Sequence, residues 1–268
     1  MKKFQFVALA LAALAIIACK PKNEPASDKT SGGGEGGDDL VFASLINVHD
    51  GTTSDWDKVP AEYLKEAVCN PECSRFQALK SVKVYADYMY INVLAEYDPT
   101  YWAGGSDAWS NFHMYLDADG SIKTGGYGDE FADADSEWML EDAFLAAGAA
   151  HTYDPSLWKW WGAVNANGWL WTDPSTTHDA TDGYGAIIPT GQGGIGSSQS
   201  LEGRKIEIQI MREAMTDGVW ANTFGIGFDT QFAYTSNGVL PNAGDVASNP
   251  VNAPKLRVTI DQTFYTEE

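Results

Sequence analysis

Apolar and polar residues alternate along most of this chain in short runs, broken by Gly, Asp, Asn and Pro. Leu40–Val48 is a first apolar run that ends at Asp50-Gly51. Leu79–Ala86 and Met89–Tyr97 flank Asp87-Tyr88 and predict a hairpin, with Met89, Ile91, Val93 and Ala95 on one face. Ser110–Asp117 places Phe112, Met114 and Leu116 together in the same way. Leu157–Val164 and Gly168–Thr172 flank the turn sequence Asn165-Ala166-Asn167-Gly168. Arg204–Met211 aligns Ile206, Ile208 and Ile210, and Phe224–Phe228 and Leu256–Ile260 complete the set. Residues 60–68, opened by Pro60, and 211–217 carry the only helical patterns. Many short strands with Gly-rich turns predict an all-β fold. It would be a single β-sandwich, jelly-roll or immunoglobulin-like, with one or two short helices.

The first 39 residues depart from this pattern. Met1-Lys2-Lys3 is a short positive start, and an apolar run follows from Phe4 to Ala18 with Gln5 inside it. That length suits a secretory signal and is short for a membrane-spanning helix. The run ends Ile16-Ile17-Ala18-Cys19, which fits the lipobox of bacterial lipoproteins. Residues 1–18 are therefore expected to be removed and Cys19 to be lipidated, anchoring the protein at a membrane, outer membrane or cell surface. Residues 20–39 contain almost no large apolar side chain and cannot bury enough surface to offset chain entropy. Residues 19–39 thus read as a lipidated flexible tether, and residues 40–268 as one folded domain.

Charge narrows the partners. The chain carries −20 at neutral pH, and losing Lys2 and Lys3 with residues 1–18 leaves −22. Nucleic acid and a polybasic membrane contact are both disfavoured by that balance. Two cysteines remain after Cys19, in Cys69-Asn70-Pro71-Glu72-Cys73. In an exported protein they are candidates for a disulfide across a small turn. Their spacing does not match a redox motif, and no second Cys or His pair completes a zinc set.

Two features carry candidate chemistry. Trp158, Trp160, Trp161, Trp169 and Trp171 fall within fourteen residues, with Trp158 and Trp160 on one face of their strand and Trp161 on the other. A second group is Tyr101, Trp102 and Trp109, in a loop region. Flat rings cover the apolar face of a sugar while acids and amides take its hydroxyls. Some of these rings must serve as core. Trp102, Trp109, Trp158, Trp161 and Trp169 are the stacking candidates. The second feature is Asp117, Asp119 and Ser121 at alternate positions in LDADGS, oxygen ligands that suit calcium. Ile122 and Gly128 stand where an EF-hand loop needs Gly and Glu, so outside ligands would be required, with Glu141 or Asp50 as candidates. A polar turn in which Asp117 or Asp119 bonds its own backbone accounts for the same residues. Asp129, Glu130, Asp133, Asp135 and Glu137 form a further acidic run that reads as a solvated loop. No G-x-S-x-G elbow occurs, and His49, His113, His151 and His178 show no metal spacing and read as satisfied surface or strand histidines. GQGGIG matches a dinucleotide fingerprint in form only, because a polar loop and a strand follow it and not a helix.

Several segments, in order, resemble family 9-like carbohydrate-binding modules. These are INVHDGTTSDWDKVP, LKSVKVYADYMYINVLAEYD, FHMYLDADGSIKTGG, EWMLED and KIEIQIMREAM. The chain departs from the family at Met211, where a Pro is usual, and over 145–200. The resemblance implies a β-sandwich that binds a carbohydrate polymer or oligosaccharide, with structural calcium as a frequent companion. The expected function is non-catalytic glycan binding through exposed tryptophans. The alternatives are a glycoside-active enzyme using a facing Asp/Glu pair and a structural or protein-binding surface lipoprotein.

Overall fold

The computed structural model describes residues 42–48, 50, 52–70, 77–98, 110–127, 130–144, 156–172, 197–200, 205–212, 220–232, 235–246 and 249–266. The described residues open with an irregular segment and a 3-10 turn at Ser54–Lys58. Strands follow in the order β1 (Lys65–Val68), β2 (Leu79–Ala86), β3 (Tyr90–Tyr97), β4 (Ser110–Asp117), β5 (Trp138–Phe144), β6 (Ser156–Trp160) and β7 (Trp171–Thr172). The series continues with β8 (Ser197–Ser200), β9 (Lys205–Met211), β10 (Thr223–Phe232), β11 (Thr235–Leu240), β12 (Asn242–Val246), β13 (Asn249–Asn252) and β14 (Leu256–Thr259). Among the described residues they build two large antiparallel sheets. One is ordered β1-β2-β3-β9-β8. The other is ordered β11-β10-β4-β5-β6-β7, with β14 also on β10. The fold is an all-β sandwich.

Alternation decides which side chains meet between the sheets. Val82, Val84, Ile91, Val93, Ile206 and Ile208 from the first sheet pack with Phe112, Met114, Leu116, Leu140, Phe224, Ile226 and Phe228 from the second. Phe112 and Phe228 stack at 5.9 Å between centroids. Both outer faces are partly covered. Ile46, Val48, Trp56 and Val59 lie over Tyr85 and Leu94 on the first sheet, and Trp56 Nε1 donates to Glu207 Oε1 at 2.8 Å. On the outer face of the second sheet Tyr127, Phe131 and Trp169 pack over β4, and this face holds the candidate site.

Two expected elements take another form. Leu40–Val48 is not a strand within the described residues: Phe42 makes one bridge to Thr266, and residues 43–48 run irregularly over the first sheet. A sheet face offers side chains and not a backbone ladder, so this segment bonds to side chains instead. Gln209 Nε2 donates to the Ile46 carbonyl at 3.3 Å, and Asn47 N donates to Asp55 Oδ2 at 3.1 Å. Residues 60–68 are not a helix. The chain turns once at Pro60, whose carbonyl accepts from Tyr63 and Leu64, then extends as β1 beside β2. A helix of that length is unstable by itself, whereas Lys65–Val68 gains a ladder and buries Ala67. The helical pattern at 211–217 lies outside the described residues after Arg212. The strands around Asn165–Gly168 are shorter than expected and are joined by an irregular loop in which Asn165 and Gly168 take positive φ.

Candidate functional site

Strand β4 is buried on both faces. Phe112, Met114 and Leu116 point into the sandwich, and His113, Tyr115 and Asp117 point out, all at 0% exposure. Register supplies their neighbours: His113 sits opposite Asp229 on β10 and Glu141 on β5, and Tyr115 opposite Gly227 and Met139. Gly227 is required there, because a Cβ would strike the Phe131 ring that covers this part of the sheet.

His113 is the centre of a polar array. Its Nδ1 lies 2.5 Å from Asp229 Oδ1 and its Nε2 lies 3.1 Å from Glu141 Oε1. A neutral imidazole has one N–H and can serve one carboxylate, whereas the imidazolium serves both. Burial favours the neutral ring, but Asp229 and then Glu141 outweigh it and raise the pKa to about 9. Asp229 is fully buried and well supplied with donors. Tyr115 Oη donates to its Oδ1 at 3.2 Å, and Gln231 Nε2 to its Oδ2 at 2.9 Å. Ser236 Oγ stands 3.2 Å from Oδ2 and 2.6 Å from Glu130 Oε1, so its one proton is shared between two carboxylates. Asn111 Nδ2 donates to Glu141 Oε1 at 2.7 Å.

Aromatic rings cover this array. Tyr115 stacks on Tyr127 at 4.7 Å, and Trp171 meets both. Trp160 packs against Trp171 and fills the space left by Gly126. Trp169 makes T-shaped contacts with His113 at 5.6 Å and Tyr127 at 5.9 Å, yet remains 49% exposed. The loop that carries it is tied down by Asn165 N to the Gly125 carbonyl, Tyr127 N to the Ala166 carbonyl and Trp161 N to the Leu170 carbonyl. Of the predicted stacking residues, Trp169 and Trp161 are exposed and Trp158 is partly buried. Trp102 and Trp109 lie outside the described residues. The indole N–H groups of Trp158 and Trp171 are buried with no acceptor among the described residues.

Asp117 and Asp119 gather at the other end of β4, and the third acid there is Glu137, not Glu141. Ligand oxygens of Asp117, Asp119 and Glu137 lie within 4.8 Å of one another. Antiparallel register explains the change of partner: Leu116 pairs with Trp138, so the next residue outward on β5 is Glu137, while Glu141 lies opposite His113. Ser121 contributes its backbone N–H, donating to Asp117 Oδ1 at 3.2 Å and to Asp119 Oδ1 at 2.8 Å, and Thr124 Oγ1 donates to Asp119. Asp50 accepts from Thr52 N in a turn of its own. Burial raises the Glu137 pKa to about 7, with Asp117 and Asp119 adding to it, and Glu137 Oε1 has no hydrogen-bond partner among the described residues. The neighbouring acidic run is not a solvated loop. Asp135 is 1% exposed and bonds Lys255 Nζ at 2.6 Å and Arg257 Nη2 at 2.9 Å. Arg257 also holds Asp133 and Asp117.

Cys69 is buried beside Asn242, and no disulfide is present among the described residues. Its expected partner Cys73 lies outside them, as do residues 1–41 with Cys19 and the tether. The sequence reading missed His113, Asp229 and Tyr115 as a group. Their signal was the polar alternation Asn111, His113, Tyr115, Asp117 on the reverse of an apolar strand face.

Comparison of the chain with protein-family models, with curated proteins and with solved structures returns no match.

The His113 imidazole should titrate near pH 9 in a proton NMR titration, and Asp229→Asn should move that midpoint down. Because the folded pKa lies above the ordinary 6.5, the stabilisation from His113 is complete below pH 6.5 and is lost as pH rises through 9. A midpoint below 7 in the unsubstituted protein would contradict the doubly bonded imidazolium.

Proposed function

We propose that this protein binds glycan without catalysis, on the outer face of its second sheet. The observation that carries the reading is Trp169, half exposed and held between two buried rings directly over a polar array. A ring held in this way is a preformed platform for the apolar face of a sugar, and Trp161 is 63% exposed on the same loop. Asp229 supports binding over hydrolysis, since it is fully buried among four donors and serves to orient His113. A glycan array and affinity electrophoresis test this. Trp169→Ala should lower affinity by about tenfold or more, Trp161→Ala by less, and neither should alter thermal unfolding appreciably. Absence of any glycan ligand in both assays would refute the reading.

Asp117, Asp119 and Glu137 form a donor set that suits calcium, and Glu137 Oε1 lacks the partner an ion would supply. The Arg257 guanidinium already neutralises part of Asp117, so the site we propose is a weak one. Calcium should raise the melting temperature relative to EDTA, and more at pH 8 than at pH 6, because Glu137 must first lose the proton it holds up to about pH 7. An identical melting curve with and without calcium at pH 8 would exclude it.

The lipobox residues Ile16-Ile17-Ala18-Cys19 support a lipid-anchored protein at the bacterial outer membrane or cell surface. No helix among the described residues is long and apolar enough to cross a membrane. Cys19→Ala should shift the protein from the detergent phase to the aqueous phase in a phase-partition assay; equal partitioning of the two forms would rule out the lipid.

A further inference from the structure

The glycan reading leaves open what kind of sugar the face accepts, and Glu141 bears on it. One oxygen of Glu141 is fully engaged: Oε1 receives His113 Nε2 at 3.1 Å and Asn111 Nδ2 at 2.7 Å. The other, Oε2, takes no donor among the described residues, and the side chain is 21% exposed. The imidazole that holds Glu141 is itself fully buried and held from behind by Asp229. Trp169 rests on that same imidazole. Asp229 therefore fixes His113, His113 fixes Glu141, and Glu141 presents one carboxylate oxygen with no donor among the described residues, next to the imidazole on which the exposed ring rests. A charged acceptor held in place before the ligand arrives loses little freedom on binding, and bonds from a donor to a carboxylate are stronger than neutral ones.

The charge around it is net negative. At this end of the face Asp229 and Glu141 are set against His113, and Glu130 accepts from Ser236. At the other end Lys255 and Arg257 are engaged with Asp117, Asp133 and Asp135, and Asp119 and Glu137 stand beside them. A ligand that brings a carboxylate meets an excess of acids over cations on this face. One that brings a hydroxyl or an ammonium meets an acceptor.

We propose that Glu141 is the specificity-determining residue of this face: its open oxygen takes a hydroxyl or ammonium donor of a sugar seated on Trp169, and its charge turns away glycans built from uronic acids. The proposal rests on the glycan reading given above, and the experiment separates the two. Binding of cello-oligosaccharides, chitosan oligosaccharides and oligogalacturonates is measured by calorimetry at low ionic strength for the unsubstituted protein, Glu141→Gln and Trp169→Ala. Glutamine keeps an oxygen for His113 and Asn111 and loses the charge, so the array is retained. A melting curve for each variant registers any loss of fold. The expected result is that the unsubstituted protein binds at least one of the two donor-bearing series and not the galacturonate. Glu141→Gln should lose about tenfold or more for the series that binds, most for the ammonium series. Trp169→Ala should lose affinity for every series that the unsubstituted protein binds. Full affinity in Glu141→Gln with loss in Trp169→Ala overturns the role of Glu141 and leaves glycan binding standing, and so does tighter binding of galacturonate than of either donor series. No binding of any series, or no loss in Trp169→Ala, overturns both.

Discussion

A histidine with no exposed surface, on a strand whose other face lines the hydrophobic core, can hold a charge only if that charge is paired on the spot. His113 is paired twice, with Asp229 at 2.5 Å and Glu141 at 3.1 Å. Much of the outer face is arranged around this pair of contacts. Asp229 needs donors of its own and draws in Tyr115, Gln231 and Ser236. Ser236 in turn reaches Glu130, on the segment that covers the sheet. Without Asp229, the imidazolium would lose its main partner, and removal of one member of a buried pair costs about 3–5 kcal/mol.

The covering segments are held by the same economy of charge. Lys255, 3% exposed, bonds Asp135 and the Asp133 carbonyl and lies over the Phe131 ring. Arg257 joins Asp117, Asp133 and Asp135. These contacts hold Asp133 and Asp135 against the sheet, and Gly126 and Gly227 admit the Trp160 and Phe131 rings that pack there. The loop of Trp161 and Trp169 then hangs on Gly125 and Tyr127 of that segment by backbone hydrogen bonds. The exposed rings are positioned by a loop, that loop by a second one, and the second by buried ions.

The fold was readable where period-two alternation met a clean apolar face. The hairpin about Asp87-Tyr88, β4 and β9 all appear where the alternation placed them. Reading failed where burial came from a distance. Leu45, Ile46 and Val48 are apolar because they lie on a sheet, not within one, and KEAV becomes a strand because β2 offers an open edge. In the candidate site, Asp117 and Asp119 were visible from their spacing, but the acid opposite them depends on strand register, which brought Glu137 and moved Glu141 to the histidine. His113 and Tyr115 looked like the solvent face of a half-buried strand, and what buries them lies far along the chain or in other strands.

The irregular segment from Phe42 to Leu64 has a consequence for orientation. It enters across the outer face of the first sheet, where Trp56 is bonded to Glu207 and Phe42 bridges to Thr266 near the other end of the chain. The exposed Trp169 occupies the opposite side, with both sheets, spaced about 10 Å apart, in between. A load applied at the N-terminal side is therefore met first by the first sheet, on the far side of the sandwich from Trp169. A surface that holds that side leaves the aromatic side facing outward, as a hand held by the wrist leaves its palm open.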